Sequence, residues 1–229
     1  MEMLQQLVRF PLEHVPFIFL VLMVAFTVHE FSHAYFAYKF GDPTAKLLGR
    51  VTLNPRVHLD VLGTILLFVA GFGWAKPVPV NRDNFANPRL MGIVVSAAGP
   101  MSNLFVAFIG TMLYYILFRF HLAEWILSQN VRVYEAIDIF LGYLVNINIL
   151  LFLFNLIPLP PLDGYRILED LAPRGLRGKL QQLEKWSIFI FLIIVFIPPI
   201  QKVTLVPLFS LIQPIHVGFY RFFTTLFGT

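Results

Sequence analysis

Residues 15–38 are apolar at almost every position, interrupted by the polar residues Thr27, His29, Glu30, Ser32 and His33. A helix over this stretch is about 36 Å long, enough to cross a hydrocarbon core of about 30 Å. Residues 91–118 and 134–157 are apolar over comparable lengths, and each is predicted to be a spanning helix. Residues 186–197 begin another apolar run that Pro198 and Pro199 interrupt, and residues 203–227 are apolar but carry Pro207 and Pro214. The pattern there leaves one bent span, two spans or an interfacial helix open. Residues 59–73 (LDVLGTILLFVAGFG) reach only about 22 Å as a helix, contain glycines that weaken one, and are expected to dip into the membrane and return. The flanking pieces RVTLNPRVHL and WAKPVPVN alternate and hold β-branched residues, which predicts short strands. The expected fold is an all-α polytopic membrane protein. It is a transmembrane helix bundle with a re-entrant or short β-hairpin element between the first and second core helices. Residues 1–229 read as one domain, with a core at about 15–170 and C-terminal helices at about 186–227.

Composition agrees with the pattern. Of the 229 residues 58% are hydrophobic and only 13% charged, and mean hydropathy is +0.75, a balance suited to a surface solvated by lipid. The N-terminal MEMLQQLVRFPLEH lacks the basic region and small-residue cleavage site of a signal peptide, so the first span is expected to be retained. The net charge of +4 does not point to nucleic acid, because the bases are spread through loops rather than clustered on one face. Cysteine is absent, which excludes disulfides and thiolate chemistry and leaves His, Asp and Glu as metal ligands.

His29, Glu30 and His33 spell HExxH within the first predicted helix. Positions four apart share a helix face, so both imidazoles can bind one ion with Glu30 beside it. A carboxylate near the bilayer centre costs about 2.5–3.5 kcal/mol on insertion scales, and such residues usually serve a function. Two histidines leave a catalytic zinc short of its usual three protein ligands. Among the aspartates Asp163 is the candidate third, in NLIPLPPLDGYRIL (155–168). There the prolines end the helix of residues 134–157 and Gly164 permits a tight turn. Irregular backbone at membrane depth is tolerated only where protein or a water-filled cavity surrounds it.

HEFSH in a transmembrane helix, followed by NLIPLPPLDG, resembles the site-2 protease family of intramembrane zinc metalloproteases. GDPTAKLLGRVTLNP, GFGWAKPVPVN and GPMSN resemble elements of its compact bacterial branch, and the chain leaves no length for the PDZ or CBS domain of some relatives. The resemblance implies one zinc per chain held by His29, His33 and Asp163, with Glu30 as general base. It implies peptide-bond hydrolysis in or near a transmembrane segment of a protein substrate, within the lipid bilayer. It also makes Asn155 a candidate for binding substrate or the developing oxyanion, beside a plain helix–helix hydrogen bond. Asn103 reads as a packing residue of GPMSN, and His14, His58, His121 and His216 as lone histidines outside the metal site.

His29 lies past the middle of its helix and Asp163 follows the end of another, so a shared ion requires those two helices to run parallel. The loops 39–90 and 158–185 hold seven and five Lys or Arg, against two in 119–133. The positive-inside rule then places the site toward the cytoplasmic side of what reads as a bacterial cell membrane. Two other classes stay open: a membrane metal-ion transporter, since metal-binding groups in a bundle also mark ion pathways, and a catalytically inactive membrane scaffold.

Overall fold

A computed structural model describes residues 11–70 and 73–228. Among the described residues three helices are long and apolar enough to cross a membrane: α1 (Val15–Lys39), with a short helix between α1 and the next span, α2 (Val61–Ala70), and the spans α3 (Pro88–Arg119) and, after α4 (Leu122–Gln129), α5 (Val131–Asn155). Polar residues set their ends. The side chain of Asn87 accepts the Leu90 N–H at the start of α3, and that of Asn130 accepts the N–H groups of Arg132 and Val133 at the start of α5. Each cap satisfies a backbone donor the helix itself leaves unpaired, and so moves the boundary outward from the first apolar residue.

The spans pack in an antiparallel and parallel order that their contacts fix. His29 and Ala25 of α1 meet Asn103 of α3, and His33 meets Val95, so residue numbers rise along α1 as they fall along α3. Asn148 and Val145 of α5 meet Asn103 and Gly110 of α3, again in opposite order. Thus α1 and α5 run parallel, as a shared ion requires. The core is built of Ile18, Val21, Leu22 and Phe26 of α1 against Leu141, Leu144 and Ile147 of α5, while Ala107, Val145 and Ile149 close the α3–α5 seam.

Between α1 and α3 the chain enters and returns. The ten residues of α2 extend only about 15 Å, and an antiparallel bridge pairs Leu59 before it with Ala75 after it. Gly63 lets the backbone of Trp74 lie against the helix, since a Cβ there would collide with it. The expected strands are reduced to that one bridge and the Lys76 N–H bond to the His58 carbonyl. Pro77 and Pro79 carry no N–H with which to extend a ladder, and residues Pro55–Val57 form a 3₁₀ turn capped by Asn54. Beyond α5, helix α6 (Asp163–Leu171) and α7 (Arg174–Glu184) cover one end of the bundle. α8 (Ser187–Phe196) and α9 (Ile212–Phe227) follow, separated by short helices; Pro198 opens one of these as its first residue. α9 packs its aromatic face on α3, with Phe223 buried near Phe108 and Tyr115.

Candidate metal centre

The i, i+4 spacing on α1 turns both imidazoles toward one point inside the bundle, and the start of α6 brings a carboxylate to it. His29 Nε2 and His33 Nε2 are 3.0 Å apart. They stand 3.2 and 3.3 Å from the two oxygens of Asp163. Both histidines are 8% exposed. Asp163 reaches this point because α5 stops at Asn155 and residues 156–162 fold back without helix, through a cis Pro160–Pro161 bond, so that α6 begins beside the histidines. Gly164 is required there: any side chain would strike the Leu156 carbonyl.

The hydrogen bonds settle the tautomers. His33 Nδ1 lies 2.7 Å from the Val95 carbonyl, which can only accept, so Nδ1 carries the proton. His29 Nδ1 lies 2.7 Å from Asn103 Oδ1, while Asn103 Nδ2 donates to the Ala25 carbonyl and to Asn148 Oδ1. This orients the amide and makes His29 Nδ1 a donor as well. With Nδ1 held by these acceptors, each ring turns its Nε2 toward the other and toward the Asp163 carboxylate. Two imidazole nitrogens and a carboxylate that converge this closely form a donor set that a single cation can bridge. The set of two imidazoles and a carboxylate, all within 4.8 Å, matches a catalytic zinc site with a position left for water. Asn103 and the Val95 carbonyl orient the two imidazoles, as outer-shell groups do in metal sites. Gly99, between them on the same face of α3, leaves the space into which the rings project.

Glu30 is equally buried and accepts the Val78 N–H at Oε2, 2.9 Å away. It opens into a cavity of about 700 Å³ shared with His29, His33, Asp163 and Asn155, with the extended residues 73–80 along one wall. Asn155 lines this cavity, but its Nδ2 donates to the Leu151 carbonyl of its own helix at 2.9 Å. The structure thus brings together all five residues singled out in the sequence. The other histidines lie elsewhere: His14 meets Tyr143, His121 meets Glu124, His216 sits on α9, and His58 is buried with Nε2 on the Thr52 carbonyl. Burial holds the His58 imidazole below its ordinary pKa, with the nearby Arg50 acting in the same direction.

Asn103, read from the sequence only as packing, is bonded to the His29 ring. A lone amide in an apolar span, beside Gly99 and Pro100, was the available signal.

A bundle of spanning helices with two imidazoles and a carboxylate converging inside it, and a second carboxylate alongside, defines a membrane-embedded metallohydrolase. Comparison with known proteins agrees. The profile of Peptidase family M50 matches residues 17–146 and 120–198. The chain is 49% identical to the "Putative zinc metalloprotease YwhC" of Bacillus subtilis, over 88% of this chain and 89% of that one. It is 28% identical to the "Putative zinc metalloprotease Rip2" of Mycolicibacterium smegmatis, over 84% and 72%. With the protein of the same name from Mycobacterium tuberculosis the identity is 31%, over 77% and 65%. No solved structure matches the chain significantly. The chain belongs to peptidase family M50, the site-2 proteases, and is an intramembrane zinc metalloprotease.

Proposed function

We propose that His29, His33 and Asp163 hold the zinc and that Glu30 is the general base for hydrolysis of a peptide bond in or near a transmembrane segment of the substrate. The observation that carries this reading is the convergence of His29 Nε2 and His33 Nε2, 3.0 Å apart, on the two oxygens of Asp163 at 3.2 and 3.3 Å inside the bundle. When bound, zinc supplies a Lewis acid that activates water and polarises the scissile carbonyl. The protein supplies the rest. Asn103 and the Val95 carbonyl hold the two rings with Nε2 facing inward. Glu30 takes a proton from the attacking water and passes it to the leaving amine. The Val78 N–H bonded to Oε2 orients that carboxylate at the cavity wall.

A substrate helix must unwind locally, because its carbonyls are bonded within the helix. The extended residues 73–80 line the cavity where an unwound segment would lie, and with Pro77 and Pro79 in this stretch they would meet it through carbonyls rather than through a full strand ladder. Asn155 faces the cavity, from where its amide reaches the developing oxyanion once it leaves the Leu151 carbonyl. The Lys and Arg excess of loops 39–90 and 158–185 supports a cytoplasm-facing site.

The test is Glu30→Gln. It is expected to abolish cleavage of a model single-span substrate while one zinc per chain stays bound. Cleavage at the wild-type rate would refute the general-base role.

A further inference from the structure

Residues 73–81 run along the catalytic cavity as an extended strap, and their attachment is unusual. Only Val78 has an N–H between Pro77 and Pro79, and that N–H is spent on Glu30. The strap cannot be held by a continuous ladder, so Val78 sits where the anchors on either side put it. Upstream, Lys76 donates its N–H to the His58 carbonyl at 2.8 Å, and its own carbonyl accepts from Arg50. Downstream, Asn81 donates its N–H to Asp42 Oδ2 at 2.7 Å. The next residue, Arg82, reaches across to α6, where Nη1 meets Asp170 Oδ1 at 2.6 Å.

Asp170 is in the last turn of the helix whose first residue is Asp163. It is 3% exposed, and it fills space that Gly92 of α3 leaves by having no side chain. Arg177 of α7 stands 3.6 Å from the same oxygen, and Glu169, beside it in sequence, is 3.9 Å from Arg82. Burial pushes the Asp170 carboxyl up, and the guanidinium groups of Arg82 and Arg177 oppose that shift. Arg82 thus joins three elements that the chemistry needs in register: the strap bonded to Glu30, the helix bearing Asp163, and α3, which orients both histidines. Sequence patterning gives no sign of this pair, whose members are 88 positions apart.

We propose that the Arg82–Asp170 ion pair latches the strap across the catalytic cavity, which makes Arg82 and Asp170 positioning residues for proteolysis. The latch rests on the assignment of Glu30 and Asp163 above. It acts through Val78 on Glu30 at one end and through α6 on Asp163 at the other. Misplacement of a catalytic group by about 1 Å can cost on the order of 100-fold in rate, so release of the strap should lower kcat more than it raises KM.

Removing one partner leaves a buried charge unpaired and endangers folding, so the informative variant is the neutral double, Arg82→Gln with Asp170→Asn. The full chain is reconstituted in liposomes with a model single-span substrate. The double variant is expected to lose about tenfold or more in kcat with zinc content unchanged, and Arg82→Lys, which keeps the charge, to recover most of the rate. Because the chain has no cysteine, Val80→Cys gives a single label on the strap. Its reaction with a water-soluble maleimide should quicken by about tenfold in the double-variant background, in proportion to the open population. Wild-type kcat in the double variant overturns the latch, and so does a slower enzyme whose Val80→Cys label reacts no faster. Glu30→Gln runs beside it. If that variant cleaves, the base assignment falls and the latch with it; if it is dead while the double variant is fully active, only the latch falls.

Discussion

Gly99→Ala puts a methyl group where the imidazoles of His29 and His33, the proposed zinc ligands, stand. A Cβ at this position lies 2.6 Å from His33 Cε1 and 2.7 Å from His29 Cε1, and it also meets His33 Nε2. Carbon atoms pack at about 3.5–4.0 Å, so each ring must withdraw by about 1 Å. Zinc sites hold their ligands to within about 0.2 Å of the ideal distance. The rings cannot withdraw freely, because their Nδ1 atoms are bonded to Val95 and Asn103, one turn to either side of Gly99 on the same face of α3. Moving α3 outward to admit the methyl group would carry those anchors away with it. We expect Gly99→Ala to weaken zinc binding by on the order of 10–100-fold or more, as when ligand orientation is lost, with cleavage falling in parallel. Chelator competition on the purified protein, with metal analysis of each fraction, measures the affinity. Gly110→Ala is the control, since its Cβ meets Val145 Cγ2 at 2.8 Å, far from the metal centre. It should cost about 1–3 kcal/mol of stability from overpacking and leave zinc affinity unchanged. A Gly99→Ala protein that holds one zinc as tightly as wild type would refute the ligand geometry described here.

Two other outcomes follow from buried hydrogen bonds. Asn103→Ala leaves His29 Nδ1 without its acceptor and should lower zinc affinity by about 10–100-fold, measured in the same competition assay, with α1 and α3 still helical by circular dichroism. Asp42 is fully buried and accepts from Asn81 N–H, Asn84 Nδ2 and the Thr44 N–H and hydroxyl. Burial alone would raise its pKa, but these bonds outweigh it and hold the carboxyl below its ordinary value. Since the folded pKa is the lower one, the stabilisation is present above the unfolded carboxylate value of about 3.9 and is lost as pH falls through the folded value. Thermal unfolding of wild type should therefore weaken more steeply than that of Asp42→Asn as the pH is lowered from about 5 toward 2, and equal slopes would contradict the assignment.

What the sequence disclosed and what it hid divide along physical lines. The three spans were legible within about three residues, because apolar length is set by the bilayer; their starts were missed where Asn87 and Asn130 cap helices beyond the apolar run. His29, Glu30 and His33 were legible because a helix fixes their relation locally. Asp163 was legible from the proline break before it and the glycine after it. The parallel order of α1 and α5 followed once residues 59–73 were read as returning, and Leu59 before the short helix α2 does meet Ala75 after it. Strands at 50–59 and 74–81 were over-read, since alternation says nothing of whether a neighbour has donors to offer. The orienting role of Asn103, the Asp42 cluster and the Arg82–Asp170 pair depend on contacts between distant segments, and no local pattern reports them.

Zinc content of the wild-type protein, measured beside His33→Ala and Asp163→Ala after equal exposure to a chelator, tests the centre most directly. One zinc per chain in wild type, and loss of zinc from both variants under the same conditions, is the expected result. Full retention of zinc by Asp163→Ala would contradict the account, because the carboxylate that α6 brings to the two histidines would then not be a ligand.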